Sequence, residues 1–100
     1  MDKRIVWSEE KNRQLRTSPN RLACFDDVLI ALDQGRLLDD VAHPAKDRYP
    51  HQRMFIVEIR GYAYAIPYVE SRNEIFLKTV YPSRSLTKRY LGTTARGERK

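Results

Sequence analysis

The chain has 100 residues and a mass of 11.8 kDa, room for one small domain of the usual ~50–250 residues and too little for a second lobe or a large covered cofactor cavity. Its hydrophobic fraction of 41% supports one compact core, no apolar run approaches the ~18 residues of a membrane span, and the single Cys24 excludes an internal disulfide or a cysteine-based zinc site. The net charge of +6 lies wholly in the second half: residues 1–50 carry nine Lys/Arg against nine Asp/Glu, and residues 51–100 carry ten against four.

Ile5-Val6-Trp7 is a short apolar run, read as a strand or the lead-in to a helix. Ser8 follows as an N-cap, with Glu9 and Glu10 in the first turn and Arg13 and Arg16 near the end, the charge order a helix dipole favours. Leu15 and the stem of Lys11 are its thin apolar content, and Pro19-Asn20 ends it. Phe25, Val28, Leu29 and Leu32 then fall at i, i+3, i+4 and i+7, one apolar stripe of a second helix. Asp26 and Asp27 begin that helix and Gly35 stops it. Its stripe reads as core packing, with Cys24 beside it as a small hydrophobe.

Arg36 to Val41 reads as a short edge strand, and His43-Pro44 through Tyr49-Pro50 as a polar, proline-bounded loop. From Gln52 the period becomes two. Phe55, Val57 and Ile59 alternate, Arg60-Gly61 makes a tight turn, and Tyr62, Tyr64, Ile66 and Tyr68 line one face of the return strand. Pro67 cannot donate to a ladder, so a free or bulged edge is expected there. A third strand is expected from Ile75 to Tyr81, with Phe76, Lys78 and Val80 on its other face. Pro82-Ser83 starts a last helix anchored by Leu86, Tyr90 and Leu91, and Gly92 ends it. The expected fold class is α+β: two N-terminal helices packed on a three- to four-stranded antiparallel sheet with a short C-terminal helix, all the helices on one face. Residues 1–92 form this single domain, and 93–100 read as a flexible basic tail.

Gly-rich phosphate loops and a GxSxG elbow are absent. His43 and His51, with Asp39, Asp40 or Asp47, have no metal-ligand spacing, so no metal and no cofactor is assigned. His51 remains a candidate proton carrier. Cations and phenols gather instead toward the C-terminus: Arg53, Lys78, Tyr81, Arg84, Lys88, Arg89 and Tyr90. A solvated basic face with a snorkelling Lys78 is one account. The other is a cationic surface with aromatic rings, the combination that binds single-stranded RNA through phosphate pairing and base stacking. On such a surface, RNA cleavage needs the 2′-hydroxyl held in line and cations on the phosphorus, a task suited to arginine.

Three segments carry a family resemblance. Val6-Trp7-Ser8-Glu9-Glu10-Lys11-Asn12 resembles the opening W-[DS]-x-x-K-N of the BrnT family of bacterial toxins, and Phe25-Asp26-Asp27-Val28 is similar to its phenylalanine-acid stretch. Pro82-Ser83-Arg84-Ser85-Leu86-Thr87-Lys88-Arg89-Tyr90 resembles its S-x-R-x-x-[ST] segment and basic helix. The resemblance spans Ile5 to Leu91. It implies a RelE-like fold, a cytoplasmic toxin of a type II toxin–antitoxin system, and metal-independent RNA cleavage that stops translation. The partners it implies are a cognate antitoxin and RNA, with no membrane, and homodimerisation within the toxin–antitoxin complex is left open. By position it matches Arg84, Lys78 and Arg53 to basic residues of the family and Lys11 to its N-terminal lysine. The catalytic set expected here is Arg84, Lys78 and Arg53 gripping phosphate, with Tyr81 or His51 assisting proton transfer, and Lys11, Lys88, Arg89 and Tyr90 are read as RNA-binding. The His43–His51 loop and the Tyr81-Pro82 insertion depart from the family pattern. Two other readings stand beside it: a ParE-like toxin acting on a protein, and a basic module that binds nucleic acid without catalysis.

Overall fold

The computed structural model describes residues 3–18 and 23–92. The Pro19-Asn20 terminator and the expected tail, 93–100, lie outside the described residues. The described chain runs β1 (Arg4–Trp7), α1 (Glu9–Thr17), α2 (Phe25–Asp33), β2 (Leu37–Ala42), β3 (Gln52–Ile59), β4 (Tyr62–Glu70), β5 (Glu74–Leu77), β6 (Tyr81–Pro82) and α3 (Arg84–Leu91). Local chemistry explains most boundaries. Ser8 Oγ accepts the Lys11 amide at 3.2 Å and Ser83 Oγ accepts the Leu86 amide at 3.1 Å, each satisfying an orphan donor of a first turn. Gly92 closes α3 in the left-handed region at φ 73°. Arg60 and Gly61 both have positive φ, 53° and 82°, as a two-residue type I′ hairpin turn requires.

The architecture is α+β, but the sheet has six strands and is mixed, not the three- to four-stranded antiparallel sheet expected. Its order is β1-β5-β4-β3-β2, with β6 also pairing β4. β1 lies parallel to β5, Ile5 opposite Ile75 and Trp7 opposite Leu77. Alternation in sequence reports which face a side chain takes, and it is silent on which distant strand lies alongside.

The helices occupy both faces of this sheet, a second correction. On one face Phe25, Val28 and Ala31 of α2 meet Phe55, Val57, Ile59, Tyr64, Ile66 and Tyr68, with Leu15 of α1 and Trp7 packed against the cluster. Trp7 stacks on Phe25 at 5.4 Å between ring centroids. The α2 stripe turns through Ala31, 3% exposed, and leaves Leu29 at 37%. On the other face Met54, Ile56, Ala63 and Ala65 form a low floor onto which α3 sets Leu86 and Tyr90. The alanines leave room for a helix, and the bulky even-numbered residues of β4 fill the opposite face.

Pro67 decides where the third strand breaks. Its carbonyl accepts the Lys78 amide at 2.8 Å, but its own nitrogen has no hydrogen to return. β5 ends at Leu77, opposite Tyr68, and β6 resumes pairing at Tyr81, opposite Ala65. Three residues thus bridge two on β4. The expected continuous strand Ile75–Tyr81 is two strands, and Val80 turns into the core at 7% exposure instead of sharing a face with Lys78. Below the break, the buried Thr87 hydroxyl accepts the Ala63 amide at 2.9 Å and donates to the Ser83 carbonyl at 2.8 Å. A side chain of α3 thereby completes the edge of β4.

Candidate nucleic-acid interface

Pairing separates the cations of this molecule. Lys3 meets Glu70 at 2.7 Å, Arg4 meets Glu74 at 2.8 Å, and Arg16 binds Asp26. Arg36 lies near Glu58, and Arg53 near Asp40 at 3.2 Å. Beyond Glu74 there is no acid until Glu98, while Lys78, Arg84, Lys88 and Arg89 intervene. All four are exposed, and none ion-pairs among the described residues. Other cations outside these ion pairs are Lys11 and Arg13 on α1, Lys46 and Arg48 in the β2–β3 loop, and Arg72 in the β4–β5 turn.

These four lie on or beside the sheet face that carries α3. Arg84 is the first residue of α3, and Lys88 follows one turn later. Arg89 sits 5.9 Å from the centroid of the Tyr90 ring. Tyr90 donates to Asp39 Oδ2 at 2.6 Å, which fastens the end of α3 to β2. That bond, with the Asp40 amide and then the charge of Arg89, holds Asp39 below the usual carboxylate range. The same bond raises Tyr90 above the usual phenol range, so its hydroxyl is a committed donor and a poor general base at neutral pH. Beneath it a groove of about 390 Å³ runs between α3 and the β2–β3 hairpin, lined by Val41, Met54, Ile56, Leu86, Arg89 and Tyr90 among others.

Lys78 and Tyr81 are exposed beyond α3. Lys78 Nζ lies 5.6 Å from the Phe76 ring centroid. The Tyr81 hydroxyl donates to Met54 Sδ at 3.7 Å. Lys78 follows β5 and does not sit in mid-strand, because the strand ends one residue before it.

The remaining candidates lie elsewhere. Arg53 pairs with Tyr68 in register and so points to the opposite face of the sheet from Met54 and Tyr81. Its guanidinium donates to the Asp40 carboxylate and to the Asp40 carbonyl, at 3.2 and 2.9 Å. Tyr68 donates to the same carboxylate at 2.8 Å, and burial followed by that bond pushes its phenol up to about 12. His51 is exposed at the end of the β2–β3 loop, and Lys11 stands on α1. In that loop His43 Nδ1 accepts the Ala45 amide at 3.0 Å and the ring tilts against Tyr49. Among the described residues no three His, Cys, Asp or Glu side chains gather as a metal site would need. No described helix is long and apolar enough to cross a membrane.

Two participants were not legible as site residues. Phe76 is 36% exposed, and only the sheet register shows that it shares a face with Tyr81. Asp39 is one acid among several in sequence, and the packing of α3 alone brings Tyr90 to it. No family model matches this chain, and neither a curated protein nor a solved structure matches it.

Proposed function

We propose that the chain is the toxin component of a type II toxin–antitoxin system with a RelE-like fold, acting in the cytoplasm as a metal-independent endoribonuclease that inhibits translation. The observation that carries this reading is the acid-free run Lys78, Arg84, Lys88 and Arg89, exposed and without ion pairs on one side of a small sheet. Four exposed cations outside any ion pair among the described residues, with Arg89 in the field of Asp39, attract a polyanion and release its counterions on binding. The segment is also the one whose Ser83-Arg84 and basic helix resemble the BrnT pattern. In the reaction, the 2′-oxygen attacks the adjacent phosphorus, its proton leaves to solvent, and the bond from phosphorus to the 5′-oxygen breaks. Solvent protonates the leaving oxygen, giving a cyclic phosphate and a 5′-hydroxyl. Arg84 grips two phosphate oxygens at once, and Lys78 supplies a second positive charge as the phosphorane forms. Arg53 already serves Asp40 on the other face and has no part in this step.

Purified protein incubated with RNA in EDTA tests the reading directly. Cleavage with cyclic-phosphate ends is expected, reduced about 100-fold or more in Arg84→Ala with Lys78→Ala, since loss of a charged transition-state contact commonly costs that much. Growth arrest on induction, relieved by co-expression of a small neighbouring gene product, is expected in cells. Wild-type cleavage by the double variant refutes the site. RNA binding without cleavage at any concentration leaves the non-catalytic basic module as the correct description.

A further inference from the structure

Beyond α3, the sheet face that carries it presents two accessible aromatic rings. Phe76 stands opposite Val6 and Val69 in register, so the three form one row across β1, β5 and β4. Tyr81 stands opposite Ala65, two pairs further along the same face of β4. The row of Phe76 and the row of Tyr81 are separated by four residues of β4, about 13 Å at the usual strand rise. Both rings are accessible, Phe76 at 36% and Tyr81 at 42%. Between them β4 carries the buried Pro67, and the chain paired with β4 leaves the sheet there at Lys78. The Lys78 ammonium lies near Phe76, and Arg84 follows Tyr81 by three residues, at the start of α3. Glu70 and Glu74, the acids at the far end of β4 and β5, are occupied by Lys3 and Arg4.

We infer that Phe76 and Tyr81 form a base-stacking subsite for single-stranded RNA, with Lys78 taking the phosphate between the two stacked bases. The inference deepens the proposed function by naming how that surface holds its substrate, and it moves Tyr81 from proton transfer to stacking. A flat sheet face with exposed rings accepts any base, because every base has a π-face, and the cations beside it select a polyanion. The exposed cations beside the rings, with the nearby Glu70 and Glu74 already occupied by Lys3 and Arg4, favour the polyanion RNA as the occupant over a protein, whose docking face would need to be strongly acidic. The Tyr81 hydroxyl, engaged with Met54 Sδ, anchors the side chain on this face, and the residue remains 42% exposed.

The test is binding of a short, fluorescently labelled 2′-O-methyl oligoribonucleotide, which cannot be cleaved because it lacks the attacking hydroxyl. Phe76→Leu and Tyr81→Leu keep apolar bulk and remove the π-face, and each is expected to weaken binding about 5- to 150-fold. Phe76→Tyr and Tyr81→Phe keep the ring and are expected to bind within about twofold of the parent. Lys78→Ala is expected to lower the dependence of log affinity on log salt by about 0.7, and the leucine variants to leave that slope unchanged. Arg13→Ala, on α1, serves as the neutral control. Parent-like affinity of both leucine variants overturns the subsite, as does failure of the parent protein to bind the oligonucleotide. Loss of a protein antitoxin by those variants with RNA affinity intact also overturns it and marks the face as a protein dock. Cleavage is scored separately on ordinary RNA. Cleavage that ignores the leucine variants sinks the subsite and spares the ribonuclease. Ring-dependent binding without cleavage does the reverse.

Discussion

Asn12 is 1% exposed, on a helix otherwise thin in buried contacts, and its side chain joins the first two helices. Its Oδ1 accepts the Phe25 amide at 2.8 Å, and its Nδ2 donates to Asp26 Oδ2 at 3.0 Å. Phe25 is the first residue of α2 and fully buried, so its amide has neither an intrahelical acceptor nor water. Asn12→Ala leaves that donor unpaired, which costs ~1–3 kcal/mol. The void left by the amide adds about 1 kcal/mol. The expected destabilisation is therefore about 2–4 kcal/mol, a large share of the ~5–15 kcal/mol that holds a small domain together. At ~4–8 °C per kcal/mol for a domain of this size, thermal melting should fall by about 8–32 °C. Circular dichroism melts and urea titrations measure it, and an unchanged m-value confirms that the folded state is the same. A shift below about 3 °C refutes the reasoning, because the Phe25 amide must then have another acceptor. Acid adds a second readout. Asn12 first and Arg16 second hold Asp26 below its ordinary value. The stability this contributes is fully present above pH ~4, the unfolded carboxylate value, and is lost as pH falls through the lower folded value. Asn12→Ala removes the larger cause, so its acid-induced loss of stability should be shallower than that of the parent.

Tyr68 makes the opposite pH prediction. With its phenol raised to about 12, its contribution is present below pH ~10 and disappears as pH rises through the folded value. Tyr68→Phe keeps the stacking on Phe55 and should abolish a component on the order of 2 kcal/mol from the alkaline unfolding curve. Equal alkaline slopes in the two proteins would show that the hydroxyl titrates freely. Thr87→Val is nearly isosteric but leaves the Ala63 amide buried without its acceptor, so a loss of ~1–3 kcal/mol is expected by urea denaturation. Thr87→Ser should recover most of it, and a stable valine variant would disprove the edge-completing role. Gly35 adopts φ +76° with open space around the position a Cβ would take, so Gly35→Ala should cost ~1–2 kcal/mol from backbone strain alone. A neutral result there would mean the turn relaxes to negative φ.

Much of this fold is written locally. The caps at Ser8 and Ser83, the stops at Gly35 and Gly92, and the Arg60-Gly61 hairpin depend on neighbours a few residues away, and period-two alternation places Phe55 to Ile59 and Tyr62 to Tyr68 on their faces. An irregular edge at Pro67 was legible too, because a missing amide hydrogen has the same consequence wherever it lies, but that it would divide the neighbouring Ile75–Tyr81 strand was not. The α2 stripe was half legible: helical period puts Ala31 beside Val28, but only packing shows that this side faces inward and Leu29 does not.

Candidate site residues divide along the same line. That Lys78, Arg84, Lys88 and Arg89 follow one another without an acid is a property of the sequence alone, and so is the resulting attraction for a polyanion. Which of the cations remain unpaired is tertiary, since the carboxylates that occupy Arg4 and Lys3 are about seventy residues away in the chain. Asn12 shows the same limit, because a polar residue in a surface-like helix gives no sign that it will cap another helix. Arg53 and Tyr81 look equivalent as strand residues near cations, yet the pleat sends them to opposite faces. Phe76 and Tyr81 reach one face only because three residues bridge two across Pro67 and shift the later strand by one. Composition and short-range pattern determined the charge, the elements and their punctuation, because those depend on backbone chemistry and nearest neighbours. The parallel β1, the second helical face and the grouping of rings with cations were decided by long-range pairing, where the free energy belongs to contacts that no short segment contains.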